Sequence, residues 1–543
     1  MSRNALVVCL GLAVTTGMWA QAPQAPEVAR DFVAASPSAS FDEPFRGRVA
    51  AITDTAIRTH LDLLASPAME GRGLGTRGLD AALEYAAASL KLAGIAPFGE
   101  ESGYFQRVPL RQLSDVTGTI EIERQSGPLT DRRSFVHGVD CLFPPLPPQS
   151  LHAPVVFAGF GIREPALGRD DYAGLDVRGR IVLLLGGVPP GPEWQKAELT
   201  DRYAAGGVKK RFAAKIELAR ALGAAAILAV EDDGFAADMA ASFSDEEVAF
   251  RTYDHEKRHE APVVIRVSRA LACAVVGEDA LAAAFRGQRV SAVPGTATAS
   301  VRLENKERLI VSRNVLGIIP GADPALREEA VMIGAHIDHL GMQGGTLHPG
   351  ADDNASGVSA LLEIAKAFVA GAPPKRTLVL AFWTGEEEGR FGSVYYVNHP
   401  RWPLAKTVAY LNLDMIGHPW LPAEIRTLVT DSKLPEGEAF LAATRAESFV
   451  EPGLPRGVPI LESVLRKSAQ GNGLTMHFDW TDGKEGGSDY RDFARAGVPF
   501  IRFFGNFFPD YHEPGDTPDR IDAAQVQRVA RFAFAAAWQL ANP

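Results

Sequence analysis

The chain has 543 residues, 46% hydrophobic and 22% charged, which is ordinary globular usage and too much for one core, so two to four domains are expected. A net charge of −11 speaks against nucleic acid or an anionic membrane as a partner. Three cysteines are too few for a disulfide framework or a thiolate-held structural metal, although Cys141 and Cys273 leave one disulfide open.

The first 22 residues read as an export leader. Arg3 precedes an apolar run, and "AQA" at Ala20–Ala22 is a small-residue cleavage pattern, with a cut after Ala20 as the other position. The run is too short to span a bilayer comfortably, and Cys9 lacks the small residue before it that a lipoprotein signal needs. A mature protein that is periplasmic or extracellular, with no membrane attachment after cleavage, is expected. Residues 23–45 are rich in Pro, Ala and Ser and read as a linker.

Apolar periodicity predicts a helix over Thr53–Leu64 and an amphipathic helix over "LDAALEYAAASLKLAGI", ending near Gly94. Between them, "MEGRGLGTRG" reads as a turn. No strand precedes its glycines, and the Lys-Ser/Thr ending of a phosphate loop is missing. After the Pro-rich Cys141–Pro154 the texture changes to short apolar strands at 153–162, 179–187, 224–232 and 261–268, with helices at 213–223 and 269–285. Residues 135–300 hold no cluster of reactive side chains and read as a smaller β-rich α/β module inserted between a first part, 46–134, and a second part, 301–543. From 307 onward strands alternate with helices: "AVMIGAH", "SGVSALLEIAKAFVAG", "RTLVLAFWT", "VAYLNLDMIG", "VPFIRFFG" and "AAQVQRVARFAFAAAWQLAN". That order predicts an α/β fold with a mostly parallel sheet flanked by helices.

In such sheets, functional groups gather past the carboxyl ends of the strands. His336 and Asp338 end "VMIGAH", Asp352 and Asp353 precede the helix at Gly357, and Glu386, Glu387 and Glu388 follow "LVLAFWT". Asp414 closes "AYLNLDM", and His512 follows "VPFIRFFG". Taken singly, a strand-end histidine, an acidic run or an "ADDN" turn is an ordinary solvated or capping feature. Asp414 is harder to explain that way, because a carboxylate among apolar residues is costly unless it is paired or bound to a cation. Two histidines with three or more carboxylates suit zinc, and the surplus over one catalytic site points to two ions sharing a carboxylate. Of Glu386 and Glu387, one would then bind metal and the other take a proton.

"AHIDH", "GADDNASG", "GEEEGRFGS", "NLDMIG" and "YHEPGDTPD" together resemble the five motifs of the co-catalytic zinc exopeptidases, in order. That family includes secreted bacterial leucyl aminopeptidases, aminopeptidase Y and glutamate carboxypeptidase II. The likeness covers 307–543, and residues 64–110 resemble the N-terminal part of such chains. "VVFAGFGI", "DDYAGLDVRGRIVLLL" and "KIELARALGAAAILAVED" resemble the protease-associated domain often inserted there. The resemblance implies two Zn2+ per chain: His336 and Asp414 on one, Glu387 and His512 on the other, Asp353 bridging. It implies Glu386 as general base on a hydroxide between the ions, Asp338 orienting His336, and Tyr511 steadying the oxyanion. The implied activity is removal of N-terminal residues from peptides with a free N-terminus. A carboxypeptidase or dipeptidase of the same fold is the alternative, and an inactive receptor-like module a further one. Relatives usually have an apolar residue at Arg390 and histidine at Tyr490, which bears on pocket shape. The pocket walls are expected from Pro419–Pro422 and Leu465–Glu485.

Overall fold

The computed structural model describes residues 31–35, 43–126, 128–204, 208–230, 249–252, 262–290 and 296–543. The leader and most of the linker lie outside the described residues. Helices α1 (Asp54–Leu64) and α2 (Arg77–Leu92) start where Thr53 and Thr76 accept the first free main-chain N–H groups. They are followed by the long strand β1 (Phe105–Ser126) and the shorter β2 (Gln149–Phe157), β3 (Ile181–Leu185), β4 (Ala226–Val230) and β5 (Val263–Val267). After these come β6 (Thr296–Ile319), β7 (Ala330–His336), helix α3 (Gly357–Val369), β8 (Thr377–Trp383), β9 (Thr407–Leu413), β10 (Phe500–Phe503) and α4 (Ala523–Ala541).

One sheet runs β10–β9–β7–β8–β6–β2–β3–β4–β5. Strands β7 to β10 are mutually parallel, and β6 is antiparallel to both β8 and β2. "AVMIGAH" and "TLVLAFW" lack the alternation of a half-solvated strand because both faces are covered, and every residue of β7 and β8 is buried. Val331, Ile333, Leu378, Leu380 and Phe382 face a core shared with helices α1, α2, α3 and α4. Met332, Val379, Ala381 and Trp383 face a second layer with Tyr396, Tyr410 and Phe493. The register places His336 beside Trp383 and Leu413 beside Phe503, so the parallel strands deliver their last residues to one edge.

Strand β1 has no counterpart among the expected elements, and β6 crosses the boundary expected at 300–301. The two pair antiparallel from Thr296–Gln125 to Val315–Phe105, with a bulge between Glu304 and Lys306. This ribbon carries the sheet into a further core that joins Ile120 and Ile122 of β1 to Leu183, Leu228, Ile265 and Leu303. The helix expected over 269–285 is two, Arg269–Val276 and Glu278–Phe285, because Gly277 between them has φ 87° and ends the first. Cys141 and Cys273 are free thiols. Among the described residues no helix is long and apolar enough to cross a membrane.

Candidate metal centre

His336, the last residue of β7, is fully buried. Its Nδ1 lies 3.2 Å from the main-chain oxygen of Asp338, an acceptor, so Nδ1 carries the proton and Nε2 is left as a donor of electrons. That Nε2 stands 3.2 Å from Asp353 Oδ1 and 3.2 Å from Asp414 Oδ1. On the other side of Asp353, Oδ2 is 3.1 Å from His512 Nε2, which is also 3.1 Å from Glu387 Oε2. Asp353 therefore turns one oxygen toward each histidine. The five residues proposed as ligands are brought together from the end of β7 and four loops, and Glu386 and Tyr511 line a cavity with four of them.

The Asp353 loop is held from several sides. Asp516 accepts from the main-chain N–H of Asp352 at 2.9 Å and of Asp353 at 3.1 Å. Asn354 Nδ2 donates to Leu413 O at 3.0 Å, and its Oδ1 accepts from Gly357 N at 2.9 Å, tying the loop to the end of β9 and the start of α3. Asp352 accepts from Gly417 N and pairs with His418. Beneath the loop lies Arg72, fully buried, whose guanidinium donates to the carbonyls of Leu64, Ile337, Pro349 and Gly350.

Asp338 departs from its expected part. Its carboxylate is 4.0 Å from His336 Nδ1 and instead accepts from the main-chain N–H of Glu386 at 3.1 Å and Glu387 at 3.3 Å. His336 is oriented by the Asp338 carbonyl, because the turn after β7 swings that side chain toward the neighbouring strand end. Arg390 pairs with Asp492 at 3.2 Å, so its charge has a partner two residues beyond Tyr490. The cavity, about 160 Å³, is walled by Met415, Gly487, Ser488, Tyr490, Arg502, Phe504 and Phe507. None of these belongs to the two loops expected to form it.

Electrostatically the site is acidic and, at its base, buried. Burial pushes Glu386 well above the usual carboxylate range; His336 opposes this, and Asp489, Glu387 and Asp414 add to it. Burial would also raise Asp353, but His336 Nε2 at 3.2 Å from one of its oxygens and His512 Nε2 at 3.1 Å from the other hold it well below its usual value. Burial pulls His512 down, yet Asp353 and Glu387 outweigh it and push the ring up to about 10. Burial and four surrounding carboxylates raise Tyr511, which stays a protonated phenol.

These residues fit a divalent ion. His512 Nε2 is buried and makes no well-angled hydrogen bond among the described residues, although two carboxylates lie 3.1 Å away. Neutral imidazole with carboxylate oxygens is the donor set of zinc-type ions. His336, Asp353 and Asp414 form one group able to hold a metal, and His339, Asp353 and Glu387 form another. His339, Arg72, Asp352 and Asp516 carry no role in the sequence reading. For His339 the signal was its place within "AHIDH".

A model of peptidase family M28 matches residues 314–537. The chain is 26% identical over 506 residues to the probable lipoprotein aminopeptidase LpqL of Mycobacterium tuberculosis, covering 89% of this chain and 84% of that one. Over 108 residues, 20% of the chain, it is 42% identical to leupeptin-inactivating enzyme 1 of Streptomyces exfoliatus, of which it spans 23%. The fold is that of an aminopeptidase from Aneurinibacillus sp. strain AM-1, with a TM-score of 0.50 at 19% identity, covering 92% of this chain and 96% of that one. Residues 314–537, which hold the site, are thus similar to peptidase family M28, in keeping with the motifs, and the chain is a peptide hydrolase.

Proposed function

We propose that this protein is an exported, zinc-dependent aminopeptidase that removes N-terminal residues from peptides. The observation that carries this reading is the placement of Asp353, with one oxygen toward His336 and Asp414 and the other toward His512 and Glu387, at the base of a small acidic cavity. His336, Asp353 and Asp414 would hold one zinc ion, and Asp353, Glu387 and His512 a second. When bound, such a pair supplies Lewis acidity and a water whose pKa is brought toward neutral.

The rest is the chain's own. Glu386, raised by burial, takes a proton from water and returns it to the leaving amine. Asp338 fixes both glutamates through their main-chain N–H groups. Tyr511, a phenol that keeps its proton, donates to the oxygen that becomes negative. Asp414, Glu386 and Glu387 make one end of the cavity negative, which favours a free N-terminal ammonium and disfavours a carboxylate. Export rests on the leader and on likeness to a relative named as a lipoprotein.

The carboxypeptidase reading has one observation on its side: Arg502 lines the cavity. Its guanidinium is already bound to Asp479 at 2.6 Å, which leaves little charge for a substrate carboxylate. A panel of aminoacyl-nitroanilides set against N-blocked dipeptides decides. Turnover of the first alone supports the aminopeptidase, and turnover of the second alone overturns it.

Zinc uptake should release protons. At pH 7.5 the metal-free site holds His512 protonated, since its pKa lies near 10, and metal takes only the neutral ring. Apparent affinity is then expected to rise about tenfold per pH unit for each proton displaced, and to level off above about pH 10. Calorimetry in buffers of different ionisation heat measures the proton count. His336 is raised as well, by Asp414 and Asp353 against burial, so His512→Ala should lower the count by one, and an unchanged count would remove His512 from the ligand set.

A further inference from the structure

We propose that His339 is a positioning residue for the second ion: it is not a ligand, and its Nδ1–H locks one oxygen of Glu387 so that the other faces the metal. This rests on the two-ion reading above. His339, Asp353 and Glu387 place three ligand-type atoms close together, as do His512, Asp353 and Glu387, so the two histidines compete for one role.

Distances separate them. Two atoms bound to one tetrahedral zinc at about 2.0–2.1 Å stand roughly 3.3 Å apart. His336 meets Asp353 and Asp414 at 3.2 Å each, and His512 meets Asp353 and Glu387 at 3.1 Å each, all near that edge. His339 Nδ1 meets Glu387 Oε1 at 2.6 Å, the length of a hydrogen bond to a charged acceptor, and stands 3.8 Å from Asp353 Oδ2.

The far side of the ring agrees. A metal-bound histidine gives its other N–H to an acceptor, as His336 does to the Asp338 carbonyl. His339 Nε2 is buried with no hydrogen-bond partner among the described residues. Binding metal through Nδ1 would bury an N–H there with nothing to receive it, whereas donating from Nδ1 leaves only a bare lone pair. Glu387 divides its oxygens to match, Oε1 to His339 and Oε2 toward His512. The ring is seated for this work. Its main-chain N–H donates to Arg72 O at 3.2 Å, and a Cβ on Gly350 would lie 2.4 Å from its Cγ, so only glycine leaves it room.

The test is zinc titration of the whole protein by chelator competition, with the cobalt(II) absorption spectrum as a second readout. His339→Asn keeps a donor close to the Nδ1 position but is a poor zinc ligand. It is expected to take up two ions, with the weaker-binding ion within about threefold of wild type and the cobalt spectrum unchanged. His339→Leu keeps bulk without the donor, and should weaken the second ion by about 10- to 100-fold while the first holds. One ion in both variants would make His339 a ligand, and wild-type affinity in both would leave it no part; either result overturns the proposal. Wild-type protein that takes up a single ion would instead sink the two-ion reading beneath it. Thermal melting of each metal-free variant shows whether the fold is intact.

Discussion

Glu386→Gln is expected to lower kcat by roughly 10³-fold while the zinc content of the purified protein stays at the wild-type value. The substitution conserves shape. The main-chain N–H of Glu386 remains on Asp338, and its neighbour Glu387, not Glu386, approaches His512 and His339. Only the ability to carry a proton is lost. The pH profile adds a signature with a definite sign. A base acts when deprotonated, so wild-type rate should fall as pH drops through the Glu386 pKa of the metal-loaded enzyme. The variant's residual rate should lack that limb. Glu387→Gln makes the contrast, since it should lose metal as well as rate. Metal analysis beside a nitroanilide assay separates the two, and a Glu386→Gln protein with near-wild-type turnover would remove the base from the mechanism.

The sheet and the reactive side chains are legible because three of the parallel strands run out of apolar residues onto a polar one. "AVMIGAH", "LVLAFW" and "AYLNL" are bounded by His336, Glu386 and Asp414, and parallel register brings those ends together. Asp414 was readable for a thermodynamic reason: an aspartate amid leucines has to be compensated. Strand β1 is not legible, although Val108, Leu110, Leu113, Ile120 and Ile122 are buried in it, because Pro109 and a turn-like "SDVTG" interrupt its alternation. The direction of a side chain is another matter. Nothing in "AHIDH" tells that Asp338 turns toward the glutamates while its carbonyl serves His336. Nor can local pattern supply cavity walls drawn from Met415, Tyr490 and Phe504, which meet only after the strands are placed.

Arg72 is where local reading falls furthest short, and its replacement by methionine should be among the most damaging changes outside the ligands. "MEGRGLGTRG" is a turn by composition, and a charged residue there would be expected to face water. Instead Arg72 is 0% exposed and takes φ 54°, with its guanidinium turned under the metal loop. It donates to Ile337 O at 2.8 Å, Leu64 O at 2.6 Å, Pro349 O at 2.8 Å and Gly350 O at 2.7 Å, so one side chain joins the end of α1 to both ends of the 337–350 loop. Burial lowers its pKa to about 10, against the pull of Asp516, Asp353, Asp338 and Glu387. It therefore remains a cation at neutral pH and offsets part of the carboxylate charge. Methionine fills much of the volume but leaves four carbonyls without this donor, for a cost of about 3–5 kcal/mol. In a domain of this size that lowers Tm by on the order of 10 °C. Because that loop leads directly into Asp353, the variant should also bind zinc more weakly, and excess zinc should restore part of the lost Tm by mass action. Lysine should not rescue it, since a single ammonium cannot span four acceptors arranged for a planar fork. Melting curves with and without zinc measure both effects, and an Arg72→Met protein that melts with wild type and holds its metal equally well would mean the loop is held by Asp516 and Asn354 alone.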